Sequence, residues 1–325
     1  MCTMRRTMRT PSILLMAASA TAHLLRPPSL LLVALLPSAR AHLLRGVRTA
    51  SYSESTGYQF YKLASAAYCG DAALANWSCA PCVASNLTAS ELQIFHDRKT
   101  DARGFVAMLD GSVVLSFEGT ETLTNWLDDL KFAKTDRNMS CAGCKVHSGF
   151  YDCWKGLDAP MVEHVRALRE AHPAAPVYVT GHSLGAAIAV IAAYILQYDL
   201  GVPIAGVYTY GGPRVGNRAF ASYYSSQSET HVTWRHTHHR DPVPHLPLED
   251  MGFAHVANEV YYPQTCGPAC AEYTVCDGSG EDESCADQFH TIAVDFSIHD
   301  HLHYFDETVG ENACVDGFAE PLVEA

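Results

Sequence analysis

The chain has 325 residues, 48% of them hydrophobic, which is ample for a sizeable core in one or two domains. Its 35 acidic residues outnumber 22 basic ones, giving a formal charge of −13 at pH 7. No basic stripe is available to neutralise phosphates, so a nucleic-acid partner is excluded and an uncharged or lipid-like substrate fits better.

At the N-terminus Arg5, Arg6 and Arg9 precede an apolar run from Ile13 to Ala22, and a second run follows from Leu30 to Leu36. Ala39-Arg40-Ala41 then offers the small-x-small pattern of a signal-peptidase site. Both runs fall short of the roughly 20 residues that span a bilayer. Residues 1–41 are therefore expected to be a secretory signal, with cleavage near Ala41. An earlier site within Ala18 to Ala22, a start at Met4 or Met8, and an uncleaved anchor are the alternatives. Residues 42–325 contain no repeat, low-complexity block or linker, so a single domain is expected there.

Twelve cysteines are too many for a cytosolic enzyme of this size, and close pairs such as Cys79/Cys82, Cys141/Cys144 and Cys266/Cys270 read as local disulfide clips. A zinc ribbon also uses two C-x-x-C units, but its halves lie far closer in sequence, so no metal is expected. Sequons at Asn76-Trp77-Ser78, Asn86-Leu87-Thr88 and Asn138-Met139-Ser140 agree with an oxidising, secretory compartment.

Strand-like runs occur at Val113 to Phe117, Pro176 to Thr180, Ile204 to Tyr210 and His231 to His236, with helical patterns between them. After Thr120, residues Leu123, Trp126, Leu127 and Leu130 follow the i, i+3, i+4, i+7 spacing of a short amphipathic helix. Asp158-Ala159-Pro160 reads as the start of a helix carrying Met161, Val162, Val165 and Leu168. Leu184 to Leu200 is apolar nearly all round, as a buried helix must be. Strands alternating with helices predict an α/β fold with a mostly parallel sheet flanked by helices.

Chemistry is concentrated where Val177-Tyr178-Val179-Thr180 runs into Gly181-His182-Ser183-Leu184-Gly185 and then into the long apolar helix. A strand, tight turn and helix is the context in which G-x-S-x-G marks a nucleophilic serine. The flanking glycines leave room for a strained turn, and the backbone N–H of Leu184 is placed to bind an oxyanion. A serine hydroxyl needs a histidine base and an orienting carboxylate, and the α/β-hydrolase order puts both downstream of Ser183. Asp241 lies where a strand-like segment ends and Pro242 forces a turn, but Asp250 and Asp295 compete on spacing. For the base, His299, His301 and His303 are all available. These histidines and His236 to His239 could also suggest a metal, but the hydrolase reading already needs one of them.

From about residue 58 onward the chain resembles the fungal-type class 3 lipases, a family that includes feruloyl esterases. The similarity begins at Ala67-Tyr68-Cys69-Gly70. It continues in Val114-Leu115-Ser116-Phe117-Glu118-Gly119-Thr120, Asn125-Trp126-Leu127, Val146-His147-Ser148-Gly149-Phe150 and Tyr210-Gly211-Gly212-Pro213-Arg214-Val215-Gly216. Asp241-Pro242-Val243-Pro244, Gly252-Phe253-Ala254-His255-Val256 and His301-Leu302-His303-Tyr304-Phe305 complete it. The resemblance implies an α/β-hydrolase fold with a short helical lid and a Ser183-Asp241-His301 triad. It implies the N–H of Thr120 as second oxyanion donor beside Leu184, and it makes Leu123, Trp126 and Leu127 the lid. It also implies disulfides Cys69–Cys314, Cys79–Cys82 and Cys141–Cys144. Cys266–Cys270 and Cys276–Cys285 are the expected remainder, with Cys153 free. Glu118 departs from the family, which usually has arginine there, and this puts the lid's electrostatics in question.

The expected activity is thus secreted hydrolysis of acylglycerol esters through an acyl-enzyme, with no cofactor, no metal and no stable protein partner, at a lipid–water interface. A feruloyl or short-acyl esterase, a phospholipase and a non-catalytic binding protein of the same fold are the rival readings.

Overall fold

The computed structural model describes residues 51–120, 133–136, 139–226, 231–263, 272–289 and 296–315, all within one unit. Helix α1 (Glu54–Ala66) starts at Ser53, whose hydroxyl caps the N–H of Thr56, and short helices α2 (Asp71–Ala75) and α3 (Ala80–Ala84) follow. Strands β1 (Ala89–Asp97), β2 (Ala102–Leu109) and β3 (Ser112–Phe117) form an antiparallel meander. Beyond a two-residue ladder of β4 (Lys134–Thr135) with β5 (Val146–His147), helix α4 runs from Ser148 to Ala171. Then come β6 (Val177–His182), α5 (Leu184–Tyr194), β7 (Gly206–Tyr210), α6 (Arg218–Ser226) and β8 (Val232–His238). The chain continues through β9 (Glu259–Tyr262), β10 (Thr274–Val275), α7 (Ile298–Leu302) and the ladder of β11 (His303–Tyr304) with β12 (Glu307–Thr308).

Among the described residues the main sheet has the order β1-β2-β3-β6-β7-β8-β9-β10, parallel from β3 to β9 and antiparallel at both ends. Its parallel strands are buried on both faces, which is why they read as apolar runs. Val113, Leu115 and Phe117 of β3 and Val177 and Val179 of β6 point to the face covered by α4 and α5. Val114, Tyr178, Tyr208 and Tyr210 point to the other, covered by α1. All of α5 is buried, and at Tyr194 it gives way to a π turn, Ile195–Asp199, that ends before Gly201 in a left-handed conformation. The fold is the mostly parallel α/β arrangement expected.

Two expectations are corrected. Helix α4 does not start at Asp158. It starts ten residues earlier, where the His147 side chain accepts the N–H of Phe150, and Pro160 lies inside it. Phe150, Trp154, Leu157, Met161, Val165 and Leu168 make one buried stripe that continues past the proline, whose ring is exposed. Burial of that stripe offsets the one backbone hydrogen bond a proline forfeits. Cys153, expected to be free, is buried in this helix and disulfide-bonded, its partner lying outside the described residues. Cys69–Cys314, Cys79–Cys82, Cys141–Cys144 and Cys276–Cys285 are present as expected, while Cys266 and Cys270 lie outside the described residues.

Candidate active site

The turn between β6 and α5 places Ser183 at φ 57°, ψ −126°, a conformation that side chains adopt only under constraint and at a cost of about 1–3 kcal/mol. The constraint is visible on both sides. A Cβ at Gly181 would strike the backbone of Gly185, and one at Gly185 would strike the carbonyl of Phe117 on β3. The N–H of Ser183 donates to the carbonyl of Tyr210 at 2.9 Å, so the end of β7 anchors the turn. Ser183 is buried, and its Oγ has no hydrogen-bond partner among the described residues.

Past the end of β8, Asp241 is buried with both carboxylate oxygens 2.9 Å from Nδ1 of His301. The acceptor is a carboxylate, so Nδ1 carries the proton and Nε2 is left as the basic nitrogen. Oδ2 also receives the Tyr304 hydroxyl at 2.7 Å, and Oδ1 the N–H of Val243 at 2.8 Å. Burial alone would push the Asp241 carboxyl up. The neighbouring His301 and the donors His301, Tyr304 and Val243 outweigh it and hold the group below the usual carboxylate value. Gly211, at the tip of β7, completes the arrangement, because a Cβ there would lie 2.8 Å from Oδ2 of Asp241 and 3.0 Å from Nδ1 of His301.

His301 sits on α7, which Ser297 caps through the N–H of Asp300. Its ring centroid is 4.5 Å from that of His182, the residue before the serine. His182 donates from Nε2 to the carbonyl of His301 at 2.9 Å and accepts the Tyr68 hydroxyl on Nδ1 at 2.8 Å. Burial, reinforced by His301, drives the His182 pKa down to about 3, so it stays neutral and keeps this one tautomer.

Thr120 ends the described part of the loop after β3, and Gly119 before it packs onto His182. A Cβ on Gly119 would fall on the Tyr68 hydroxyl and 2.8 Å from the carbonyl of His182. The loop of Thr120 therefore runs beside the serine turn, whose N–H of Leu184 opens α5. Glu118 faces Arg103 rather than open solvent. Its carboxylate lies 2.9 Å from the guanidinium, which also bonds the carbonyls of Ala67 and Cys69 and the carboxylate of Asp71. Leu123, Trp126 and Leu127 lie outside the described residues, as do Asn138 and Asp295.

The remaining candidates separate cleanly. Asp250 is exposed on a short 3-10 turn. His299 and His303 stack on each other at 3.8 Å, and Nδ1 of His303 binds the carbonyl of His299. Among the described residues no metal-ligating cluster contains any of the histidines. Asn76 and Asn86 are exposed, as acceptors of glycans need to be. Sequence reasoning gave no role to Tyr68, His182, Tyr304 or Asp300. Tyr68, His182 and Tyr304 lie inside sequence motifs named above, but their partners lie 114, 119 and 63 residues away in sequence.

Residues 114–251 match the family model described as "Lipase (class 3)". A secreted mono- and diacylglycerol lipase A of Penicillium cyclopium is 34% identical over 210 residues, 63% of this chain and 67% of that protein. A lipase of Rhizomucor miehei is 34% identical over 276 residues, 82% of this chain and 72% of that one. The structure of lipase II from Rhizopus niveus superposes with a TM-score of 0.71 at 30% identity, covering 81% of this chain and 98% of the other.

Proposed function

The chain belongs to the class 3 lipase family and is a carboxylic ester hydrolase, and from that premise we propose that Ser183, Asp241 and His301 are its triad and acylglycerols its substrates. The observation that carries the triad is a buried serine hydroxyl with no hydrogen-bond partner on a positive-φ turn, in a chain whose histidine–carboxylate pair is already formed. An orphaned buried hydroxyl is costly and calls for a functional reason.

In the proposed reaction Nε2 of His301 takes the Ser183 proton as Oγ attacks the ester carbonyl carbon. The N–H groups of Thr120 and Leu184 receive the negative charge that develops on the carbonyl oxygen. Asp241 stabilises the imidazolium and fixes its tautomer. Collapse of the tetrahedral intermediate breaks the ester C–O bond, and the departing alkoxide takes the proton from His301. A water molecule then gives its proton to His301 and attacks the acyl-enzyme, returning Ser183 and releasing the acid.

Acylglycerol as substrate is supported by the printed description of the Penicillium relative. Lid behaviour of Leu123, Trp126 and Leu127 at a lipid surface is proposed with it. An extracellular setting is supported by the secreted relatives and by the disulfides. Labelling with an active-site organophosphonate tests the nucleophile, since an unmodified Ser183 would refute it. Turnover of a diacylglycerol dispersed above its solubility limit, compared with a dissolved short-chain ester, tests the substrate. Equal rates per enzyme on both would favour a short-acyl esterase.

A further inference from the structure

The segments that deliver Asp241 and His301 come from distant parts of the chain, yet their separation is uniform enough for both carboxylate oxygens to reach Nδ1 at 2.9 Å. One side chain lies between those segments. Asp300, buried and immediately before His301, accepts the N–H of Arg240, immediately before Asp241, on Oδ2 at 3.1 Å. The same oxygen accepts Nδ1 of His239 at 2.9 Å. The backbone carbonyl of Asp300 accepts Nδ1 of His238, also at 2.9 Å. A carboxylate or carbonyl cannot donate, so both histidines must carry their proton on Nδ1. A fourth bond, from the N–H of Ser297 to the carbonyl of Arg240 at 3.1 Å, closes the far end of the contact.

We propose that Asp300 is a positioning residue for the triad: by binding the residue before the acid while standing next to the base, it sets the distance between Asp241 and His301. This rests on the triad reading above. Asp300 acts on the pair without touching the reacting atoms, because its Oδ2 binds the His239–Arg240 loop. Among the described residues its other oxygen, Oδ1, has no hydrogen bond, and Nδ1 of His299 lies 3.6 Å from it. One oxygen therefore carries the polar contacts of the side chain. That makes a neutral amide a valid substitute, since its carbonyl can accept both bonds that Oδ2 accepts.

The test compares Asp300→Ala and Asp300→Asn on a dissolved short-chain ester. Misplacing a base by a fraction of an ångström costs rate rather than binding, so Asp300→Ala is expected to lower kcat by about 10- to 100-fold with KM within about twofold. Asp300→Asn is expected to stay within about fivefold of the parent kcat. The low-field proton resonance of the His301–Asp241 hydrogen bond should broaden or shift in the alanine variant and persist in the asparagine one. A folded Asp300→Ala enzyme with parent kcat and an unchanged resonance overturns the proposal, as does an asparagine variant as slow as the alanine one. Should the alanine variant fail to fold, His239→Ala removes one of the two bonds from the loop's exposed side and is expected to shift the same resonance. An unmoved resonance there counts against the proposal. Ser183→Ala serves as the control: activity surviving in it defeats the triad reading itself, whereas a dead Ser183→Ala beside a parent-like Asp300→Ala defeats only the positioning role.

Discussion

The buried Tyr304 hydroxyl donates a 2.7 Å hydrogen bond to Oδ2 of Asp241, itself buried. Two consequences follow for Tyr304→Phe. Hydrogen bonds to a charged group contribute about 1.5–3 kcal/mol, and stability should fall by about that amount. The Asp241 carboxyl, now held down by fewer donors, should titrate at higher pH. A carboxyl whose folded pKa is depressed stabilises the fold above its ordinary value and loses that contribution as pH falls through the folded one. The variant should therefore begin to lose activity and structure at higher pH than the parent. A pH–rate profile on a dissolved ester, paired with urea denaturation at each pH, checks both.

Ser183→Gly should be inactive yet more stable. The serine holds φ 57°, ψ −126°, and glycine relieves a strain of about 1–3 kcal/mol while adding about 1 kcal/mol of backbone entropy to the unfolded chain. A net gain of about 1 kcal/mol, read as a higher Tm, is expected. Ser183→Ala keeps the Cβ and should lose turnover with no such gain.

Acid should destabilise the protein well before its carboxylates protonate. Burial pushes His182 and His236 down to about 3 and His231 to about 4, and holds His255 well below its ordinary value. Unfolding frees each to bind a proton near 6.5. Because the folded pKa is the lower one, the stability these groups confer is complete above about 6.5 and is lost as pH falls toward 4. Each proton taken up steepens the decline by about 1.4 kcal/mol per pH unit. Denaturant midpoints at pH 7 and pH 4.5 measure the slope, and a flat profile across that window would contradict the burial of these rings.

Glu118→Arg, which installs the residue that the family resemblance leads one to expect, should destabilise this chain. Arg103 is nearly buried and Glu118 is its less exposed carboxylate partner, Asp71 being largely exposed. Removing one partner of a buried pair and adding a second guanidinium costs about 3 kcal/mol or more. Thermal unfolding should show the drop, and the double variant Glu118→Arg, Arg103→Glu should recover part of it.

Trp126→Ala tests the lid. Turnover of an emulsified diacylglycerol should fall several-fold while turnover of a dissolved ester changes little, because an interfacial anchor acts only where there is an interface. Equal losses on both substrates would move Trp126 from lid to core.

The parallel strands were legible because both of their faces are buried, which leaves runs such as Val113 to Leu115 apolar throughout. β1 was not, since half of its positions face solvent and its pattern is diluted by Ser90, Glu91 and Gln93. The start of α4 was hidden because histidine is an uncommon cap, whereas Asp158-Ala159-Pro160 carries the usual signs of a helix start. The proposed role of Ser183 was read from its turn chemistry, and those of Asp241 and His301 from chain order sharpened by family resemblance. The contacts that hold them were not. Asp300 to Arg240 and Tyr68 to His182 are pairings between residues 60 and 114 apart, and no local spacing encodes such distances.

Helix α1 grips the last described stretch of the chain: Lys62 and Tyr58 hold the carboxylate of Glu307, Tyr61 binds its carbonyl, and Cys69 is joined to Cys314. Glu307 follows His301 by six residues. During synthesis Ser183, the proposed nucleophile, is therefore made well before His301, the proposed base, and the segment that follows the base is tied down when Cys69 and Cys314 are joined. On the proposed triad, a chain that stops short of His301 carries a serine with no histidine to activate it. On that reading esterolysis becomes available only after the segment carrying His301 has been made and has folded onto α1.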